Sequence, residues 1–170
     1  LSEEPDMIEY EKTVNDCYAL LKKDGFGQAI FGDIFLEDLK QFREAQLAKQ
    51  NIQSIFPLWK RDSKELIHEF ISLGFKAIII CVNTKFLDKN FCGRIIDESF
   101  INDLPKDADA CGENGEYHSF VFDGPVFKSP IKFNTGEIVY REYKTPVDSS
   151  KECFTTPQSA TGFYFIDLLP

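Results

Sequence analysis

Apolar residues recur every three or four positions in three segments of the first half of the chain, which predicts three helices. The first ends before Gly25, the second covers residues 36–49, and the third begins at Asp62 and ends at Gly74. Asp62 and Glu65 have the spacing of a capping box, in which two side chains satisfy free backbone N–H groups. This spacing favours a structural role for both carboxylates.

Short apolar runs follow each of these helices and predict strands at residues 28–31, 54–57 and 76–82. The last run is apolar without interruption, which is typical of a parallel strand buried on both faces. Helices and strands that alternate in this way favour a parallel sheet with right-handed crossovers. We therefore expect an α/β fold with a doubly wound, mostly parallel, Rossmann-like sheet.

The second half of the chain predicts a β-rich region. A short helix is expected near residues 97–104, and Asn134-Thr-Gly-Glu137 has the composition of a turn between two strands. Residues 144–160 are rich in Pro, Ser and Thr and predict a loop. The strands are expected at residues 117–122, 126–134, 137–143 and 162–168. The chain then divides into an α/β segment, 1–104, and a β-rich region, 105–170, packed on it.

Composition and charge narrow the range of functions that the chain can have. The formal charge of −9 argues against nucleic acid as a partner, because that affinity rests on Lys and Arg side chains that neutralise phosphates. No apolar stretch approaches the roughly 20 residues of a membrane span. The five cysteines include no C-x-x-C pair, so reduced thiols in a cytoplasmic protein are the simplest interpretation. The sequence leaves the oligomeric state open, and a homo-oligomer is one possibility.

Two short segments carry candidate chemistry. Gly32 and Asp33 end a predicted strand and precede a helix, at the edge of an α/β sheet where ligands bind. An ordinary turn, with Asp33 as a helix cap, explains the same residues.

The second segment is Glu113-Asn114-Gly115-Glu116, followed by His118. Asn-Gly favours a tight turn, and two carboxylates three residues apart could also orient an amine, bind Mg²⁺ or relay a proton. The spacing alone does not separate a turn from a site.

Several motifs occur in an order that resembles a known family. They are Gly32-Asp33-Ile34, Phe56-Pro57-Leu58-Trp59, Gly93-Arg94 with Asp97, the run from Cys111 to Ser119, and Asp123-Gly124-Pro125 with Phe127. Together they resemble the adenine-nucleotide α-hydrolase-like proteins that include diphthine–ammonia ligase, within the ATP pyrophosphatase superfamily. The resemblance extends to residues 163–169 and so covers essentially the whole chain.

The resemblance implies a chemistry and a set of site residues. ATP, with Mg²⁺, would adenylate an acceptor carboxylate and release pyrophosphate, and ammonia would then displace AMP to leave an amide. Gly32 and Asp33 would lie beside the nucleotide. The acceptor or ammonia site is expected to contain Glu113, Glu116 and His118 as catalytic residues, with Asn114, Gly115, Tyr117 and Arg94 binding the substrate. On this template residues 1–104 are the C-terminal part of the nucleotide-binding domain, and residues 105–170 shape the substrate site.

Three departures from the family pattern qualify this template. The pyrophosphate-binding signature S-G-G-x-D-S is absent from the 170 residues, so the sequence is expected to begin after that motif. His118 stands where the diphthamide enzymes usually carry glutamate, and Leu39 to Glu44 keeps only Glu44 of their Q-R-x-R-V-E pattern. These features resemble the bacterial branch. The alternatives are a nucleotide-binding or interaction module without turnover, and an inactive fragment.

Overall fold

The computed structural model describes residues 7–144 and 160–170, and these divide into two compact units, Leu1–Arg61 and Asp62–Pro170. Helices and strands occur in both units, so the mixed α/β class is confirmed. The boundary between these units falls after Arg61, whereas the expected division was at 104/105; among the described residues, the strand Lys76–Asn83 pairs with the strands Tyr117–Asp123 and Ala160–Leu169 of the second half. None of the helices within the described ranges is long and apolar enough to cross a membrane.

The first unit is built around two short parallel strands. Helix α1 (Met7–Lys23) precedes strand β1 (Gln28–Ile30), helix α2 (Glu37–Ala48) and strand β2 (Gln53–Ile55). The strands pair in register from Gln28 with Gln53 to Ile30 with Ile55. Leu47 of α2 is fully buried, and Ile52, just before β2, is buried as well. Burial of these two apolar side chains fixes the position of α2, which connects β1 to β2.

The second unit contains a four-stranded antiparallel sheet in the order β4-β3-β6-β5. Its strands are β3 (Lys76–Asn83), β4 (Tyr117–Asp123), β5 (Asn134–Lys144) and β6 (Ala160–Leu169), and its helices are α3 (Ser63–Ser72) and α4 (Glu98–Asp103). Asp62 caps α3 by accepting from the N–H groups of Lys64 and Glu65, both at 2.9 Å. The helix cap predicted at Asp62 and the short helix predicted near residues 97–104, which is α4, are thus confirmed.

The expectation that β3 belongs to a mostly parallel sheet is wrong. β3 is nearly all buried, as its apolar run predicted, but it pairs antiparallel with β4 and with β6. A continuous apolar run reports burial on both faces and carries no information about strand direction. The parallel pairing in the described residues is that of β1 with β2.

The predicted strand at 126–134 and the turn after it are also wrong. Residues 124–133 form no strand, and Asn134 to Glu137 lie inside β5. The glycine of that segment coincides with a register shift between Thr135 and Ile138, where a Cβ on Gly136 would lie 3.3 Å from Cβ of Asp167. A glycine in a strand marks a bulge or a close approach as readily as a turn. The loop predicted at 144–160 falls almost entirely outside the described residues.

The core of the second unit lies against β3. Phe100 of α4 is fully buried and makes edge-to-face contacts with Phe91 and Tyr117, at centroid distances of 6.0 and 5.4 Å. Ile79 and Val82 of β3 belong to the same buried cluster. Tyr117 therefore begins β4 inside the core, and the segment before it is held close to this packed surface.

Candidate functional site

Residues 109–116, called the acidic loop below, connect the region after α4 to β4. The buried charged group of the loop is Glu116, whose side chain has no exposed area. Its Oε1 accepts from the Asp109 N–H at 2.8 Å and from Nδ2 of Asn114 at 3.1 Å. Its Oε2 accepts from the Asn114 N–H at 3.0 Å. A buried carboxylate needs such donors, and here all three come from the loop itself.

Asp109 organises the other end of the loop. Its Oδ1 accepts from the N–H groups of Cys111, at 3.0 Å, and Glu113, at 3.1 Å. Gly112 between them has φ of +73°, a left-handed conformation that favours glycine. A Cβ there would lie 3.1 Å from both Cε1 and the carbonyl oxygen of Tyr117. The glycine therefore permits both the turn and the close packing.

Three further contacts tie the acidic loop to the unit. The Tyr117 hydroxyl donates to the Ala110 carbonyl at 2.6 Å, and burial raises the pKa of that hydroxyl well above its usual range. Nδ2 of Asn83, at the end of β3, donates to the Gly115 carbonyl at 3.3 Å, and the Asn83 N–H donates to the Glu116 carbonyl at 2.9 Å. The loop is thus fixed by the sheet as well as by its own carboxylates.

The thiol of Cys111 also faces inward. It donates to the carbonyl of Ser63 at 3.2 Å. Burial, with smaller contributions from the carboxylates of Asp109, Glu113 and Asp62, raises the pKa of the thiol to about 12. A thiol with this pKa is protonated at neutral pH, so Cys111 has the properties of a packing residue rather than of a nucleophile.

The predicted site residues of this region occupy different environments. Glu113 is half-buried, whereas Asn114 and His118 are exposed, the latter on β4 opposite Cys81. Gly115 has φ of +82° and open space around it. Asp109 and Asn83 were missed from the sequence. Asp109 had a weak signal, because an Asp two residues before Cys111 has the spacing of an Asx turn.

Arg94 packs beside the Phe100 ring. Its Nη1 forms an ion pair with Asp103 at 2.9 Å, and its Nη2 donates to Ser99 at 3.2 Å. The guanidinium carbon lies 5.3 Å from the centroid of Phe91 and 5.6 Å from that of Phe100. Arg94 is therefore linked to Tyr117 through the Phe100 ring, which packs against both side chains.

The first unit carries its own cluster at the carboxyl ends of β1 and β2. The segments after the two strands lie side by side, since the Phe31 N–H donates to the Ile55 carbonyl at 2.9 Å. Asp33 is buried, and its Oδ2 lies 3.0 Å from Nε of Arg43 in an ion pair, while Nε donates to Oδ1 at 3.3 Å. Gly32 beside it is exposed, with open space where a Cβ would be.

Aromatic rings and two cations also lie at this edge. Phe31 stacks on Phe56 with centroids 5.4 Å apart, and Phe56 contacts Trp59 at 6.1 Å. The Arg43 guanidinium lies 4.6 Å from the Phe31 centroid, and the Lys40 ammonium lies 5.1 Å from that of Phe56. The sequence pointed to Gly32 and Asp33 here but not to the two cations, which lie on α2.

The carboxylates of the acidic loop do not fit a resident metal ion. Both oxygens of Glu116 and Oδ1 of Asp109 face N–H donors, whereas Mg²⁺ requires lone pairs directed at the ion. Over residues 7–144 and 160–170, no group of three or more His, Cys, Asp or Glu side chains is placed to hold a metal.

Comparison with known proteins identifies the family of the chain. A family described as the diphthamide synthase C-terminal domain matches residues 62–152, which is more than half of the chain. The match begins at the first residue of the second unit and ends shortly before β6. The chain belongs to this family.

Its relatives include diphthine–ammonia ligases. Those of Bos taurus and Homo sapiens are 34% and 33% identical over 135 residues, which cover 74% of this chain and 51% of each relative. The diphthine–ammonia ligase of Schizosaccharomyces pombe is 25% identical over 154 residues, 81% of this chain and 25% of that protein. The chain thus spans about half the length of the vertebrate relatives that it matches.

Proposed function

We propose that the chain is part of an ATP-dependent ligase that adenylates a carboxylate, releases pyrophosphate, and then transfers ammonia with release of AMP. The observation that carries this proposal is the acidic loop, a closed set of carboxylate-to-backbone bonds in a member of the diphthamide synthase C-terminal domain family. The names of the relatives support ammonia as one substrate and diphthine, or a related carboxylate, as the other.

Within the loop, the geometry divides the two glutamates between two roles. Glu116 is enclosed and accepts three hydrogen bonds, so we infer that it positions the loop. Glu113 is half-buried at the loop surface, and its carboxylate attracts ammonium and takes a proton as ammonia attacks. Asn114 and Gly115 border the acceptor. His118 replaces the glutamate usual in the diphthamide enzymes, which, of these two acceptors, favours a related carboxylate in a bacterial-branch protein.

Tyr117 and Arg94 support the residues of this site through neighbouring contacts. The Tyr117 hydroxyl fixes the Ala110 carbonyl, and Arg94 braces the Phe100 ring on which Tyr117 packs. We therefore infer positioning roles for both residues rather than direct contact with the substrate.

The nucleotide is assigned to the first unit. The β1–α2–β2 arrangement, two parallel strands joined by a helix, supports a Rossmann-like unit with its ligand at the carboxyl ends of the strands. Phe31, Phe56 and Trp59 offer ring faces for a base, and Lys40 and Arg43 offer charge for phosphates. Gly32 leaves room for close approach. Mg²⁺ would arrive with ATP and be held chiefly by its phosphates.

Four unpaired cysteines in the described residues support the proposal of a cytoplasmic protein. Cys17, Cys81, Cys92 and Cys111, which lie in the described part of the chain, are free thiols. Thiols of this kind are what a reducing compartment favours.

Calorimetry of ATP binding to the full-length protein tests the nucleotide assignment. Trp59→Ala is expected to weaken the affinity about tenfold, because stacking of a base on an aromatic side chain contributes roughly 1–3 kcal/mol. Phe26→Ala is the matched control, since that ring is 55% exposed and lies before β1, outside the ring cluster. Absence of ATP binding would end the proposal, and equal losses in the two variants would remove the rings from the nucleotide site.

A further inference from the structure

One cavity in the unit Asp62–Pro170 is lined by charge opposite in sign to that of the protein as a whole. The cavity has a volume of about 260 Å³ and lies between the start of α3 and the segment that follows α4. Lys64 and Lys106 line it, together with Asn102, and no carboxylate does so among the described residues. The chain has 28 acidic and 19 basic residues, so such a lining runs against its composition.

Among the described residues, the ammonium groups of these two lysines also have no acidic partner. Neither ammonium forms an ion pair or hydrogen bond with another described residue, whereas Lys76 and Arg94 of the same unit are paired with Asp123 and Asp103 at 2.9 Å. Glu65 and Asp107, which directly follow the two lysines in the chain, do not line the cavity. Three other nearby carboxylates are engaged elsewhere. Asp62 caps α3, Asp103 pairs with Arg94, and Asp109 organises the acidic loop.

The remainder of the cavity wall is apolar. Leu104, Ala108 and Ala110 contribute to it, and the Ala110 carbonyl accepts the hydrogen bond of Tyr117. Two cations at the rim, an amide beside them and an apolar wall suit a small anion that carries a hydrocarbon or ring portion. Part of the cavity wall adjoins the acidic loop, because Ala108 and Ala110 flank Asp109, the first residue of that loop.

We propose that this cavity binds an anionic group, a carboxylate or a phosphate monoester, through Lys64 and Lys106. The acidic loop repels an anion and attracts ammonium, so the two neighbouring surfaces select opposite charges. The assignment stands on the cavity and its lysines alone and does not require the proposed ligase activity.

Nuclear magnetic resonance titration of the full-length protein at constant ionic strength tests the proposal. The probes are AMP, which carries a phosphate monoester, and butyrate, which carries a carboxylate. We expect saturable shifts of the Asn102 and Leu104 amide signals with at least one probe, because both residues line the cavity and lie outside the acidic loop. Saturation by AMP alone assigns the cavity to phosphate, by butyrate alone to carboxylate, and by both to anions in general. Shifts that stay linear for both probes would overturn the proposal.

Charge variants sharpen this test. Lys64→Gln and Lys106→Gln should each weaken the apparent affinity about two- to fivefold, the range for exposed charge pairs. Lys64→Arg, which keeps the charge, should remain within about twofold of the parent. The control is Lys128→Gln, an exposed lysine of the same unit that does not line the cavity. If Lys128→Gln weakens binding as much as Lys64→Gln, the shifts reflect net charge and the proposal is wrong.

The titration separates this proposal from the ligase proposal. It involves no turnover, and its reporters are local to the cavity. A protein that saturates with butyrate but never releases pyrophosphate from ATP would keep the anion site and lose the ligase function.

Discussion

Replacement of Glu116 by Gln is the sharpest structural prediction for the acidic loop. The parent carboxylate accepts three hydrogen bonds in a fully buried position. A glutamine amide can offer its oxygen on one side only, so its NH₂ must face an N–H of Asp109 or Asn114. One donor then loses its acceptor, and the remaining bonds lose their charge assistance. We expect the free energy of unfolding to fall by about 2 kcal/mol, the usual cost of one unsatisfied buried group plus a lost charged acceptor.

Urea denaturation followed by circular dichroism measures this loss, and amide hydrogen exchange locates it. The Asp109 and Asn114 amides should exchange faster in Glu116→Gln, while amides of β3 keep their relative protection. Glu137→Gln removes the same charge from an exposed position on β5 and should change stability by less than about 0.5 kcal/mol. Parent-like stability and parent-like exchange in Glu116→Gln would refute the positioning role and return Glu116 to the list of catalytic candidates.

Two other predictions concern the same loop. Gly112→Ala should lower the free energy of unfolding by about 2 kcal/mol, through left-handed strain and contact with Tyr117; Gly115→Ala, strained but uncrowded, should cost about 1 kcal/mol. Equal losses in chemical denaturation would contradict the tight packing. Alkylation at pH 8, followed by mass spectrometry, should modify Cys111 at least about tenfold more slowly than the exposed Cys17, because a pKa of about 12 leaves little thiolate. Comparable rates would show that the thiol is not enclosed.

The chain shows which parts of a fold local patterns can predict. The helices and the cap at Asp62 depend on neighbouring residues, and they formed where the periodicity placed them. The direction of β3 depends on which distant strand reaches it, and an apolar run carries no such information. In the same way, Asn-Thr-Gly-Glu at 134–137 is as compatible with a bulge inside β5 as with a turn.

The candidate site shows a similar division. Sequence and resemblance singled out Glu113 to Glu116, and the structure holds these residues in one compact loop. What the spacing could not reveal is which carboxylate faces inward. That depends on the backbone N–H of Asp109, seven residues before Glu116, and on Asn83 at the end of β3. The cations beside Asp33 were missed for the same reason, since α2 brings them to the edge of the sheet only after folding.

The most direct test of the proposed function is the product analysis of ATP turnover by the full-length protein. With ATP, ¹⁵N-ammonium and a panel of carboxylates, we predict equimolar AMP and pyrophosphate and a ¹⁵N-labelled amide, formed only with the correct carboxylate. Glu113→Gln should reduce turnover while ATP affinity stays near that of the parent. ATP binding without pyrophosphate release across the panel would favour a nucleotide-binding module, and release of ADP and phosphate would contradict the adenylation chemistry outright.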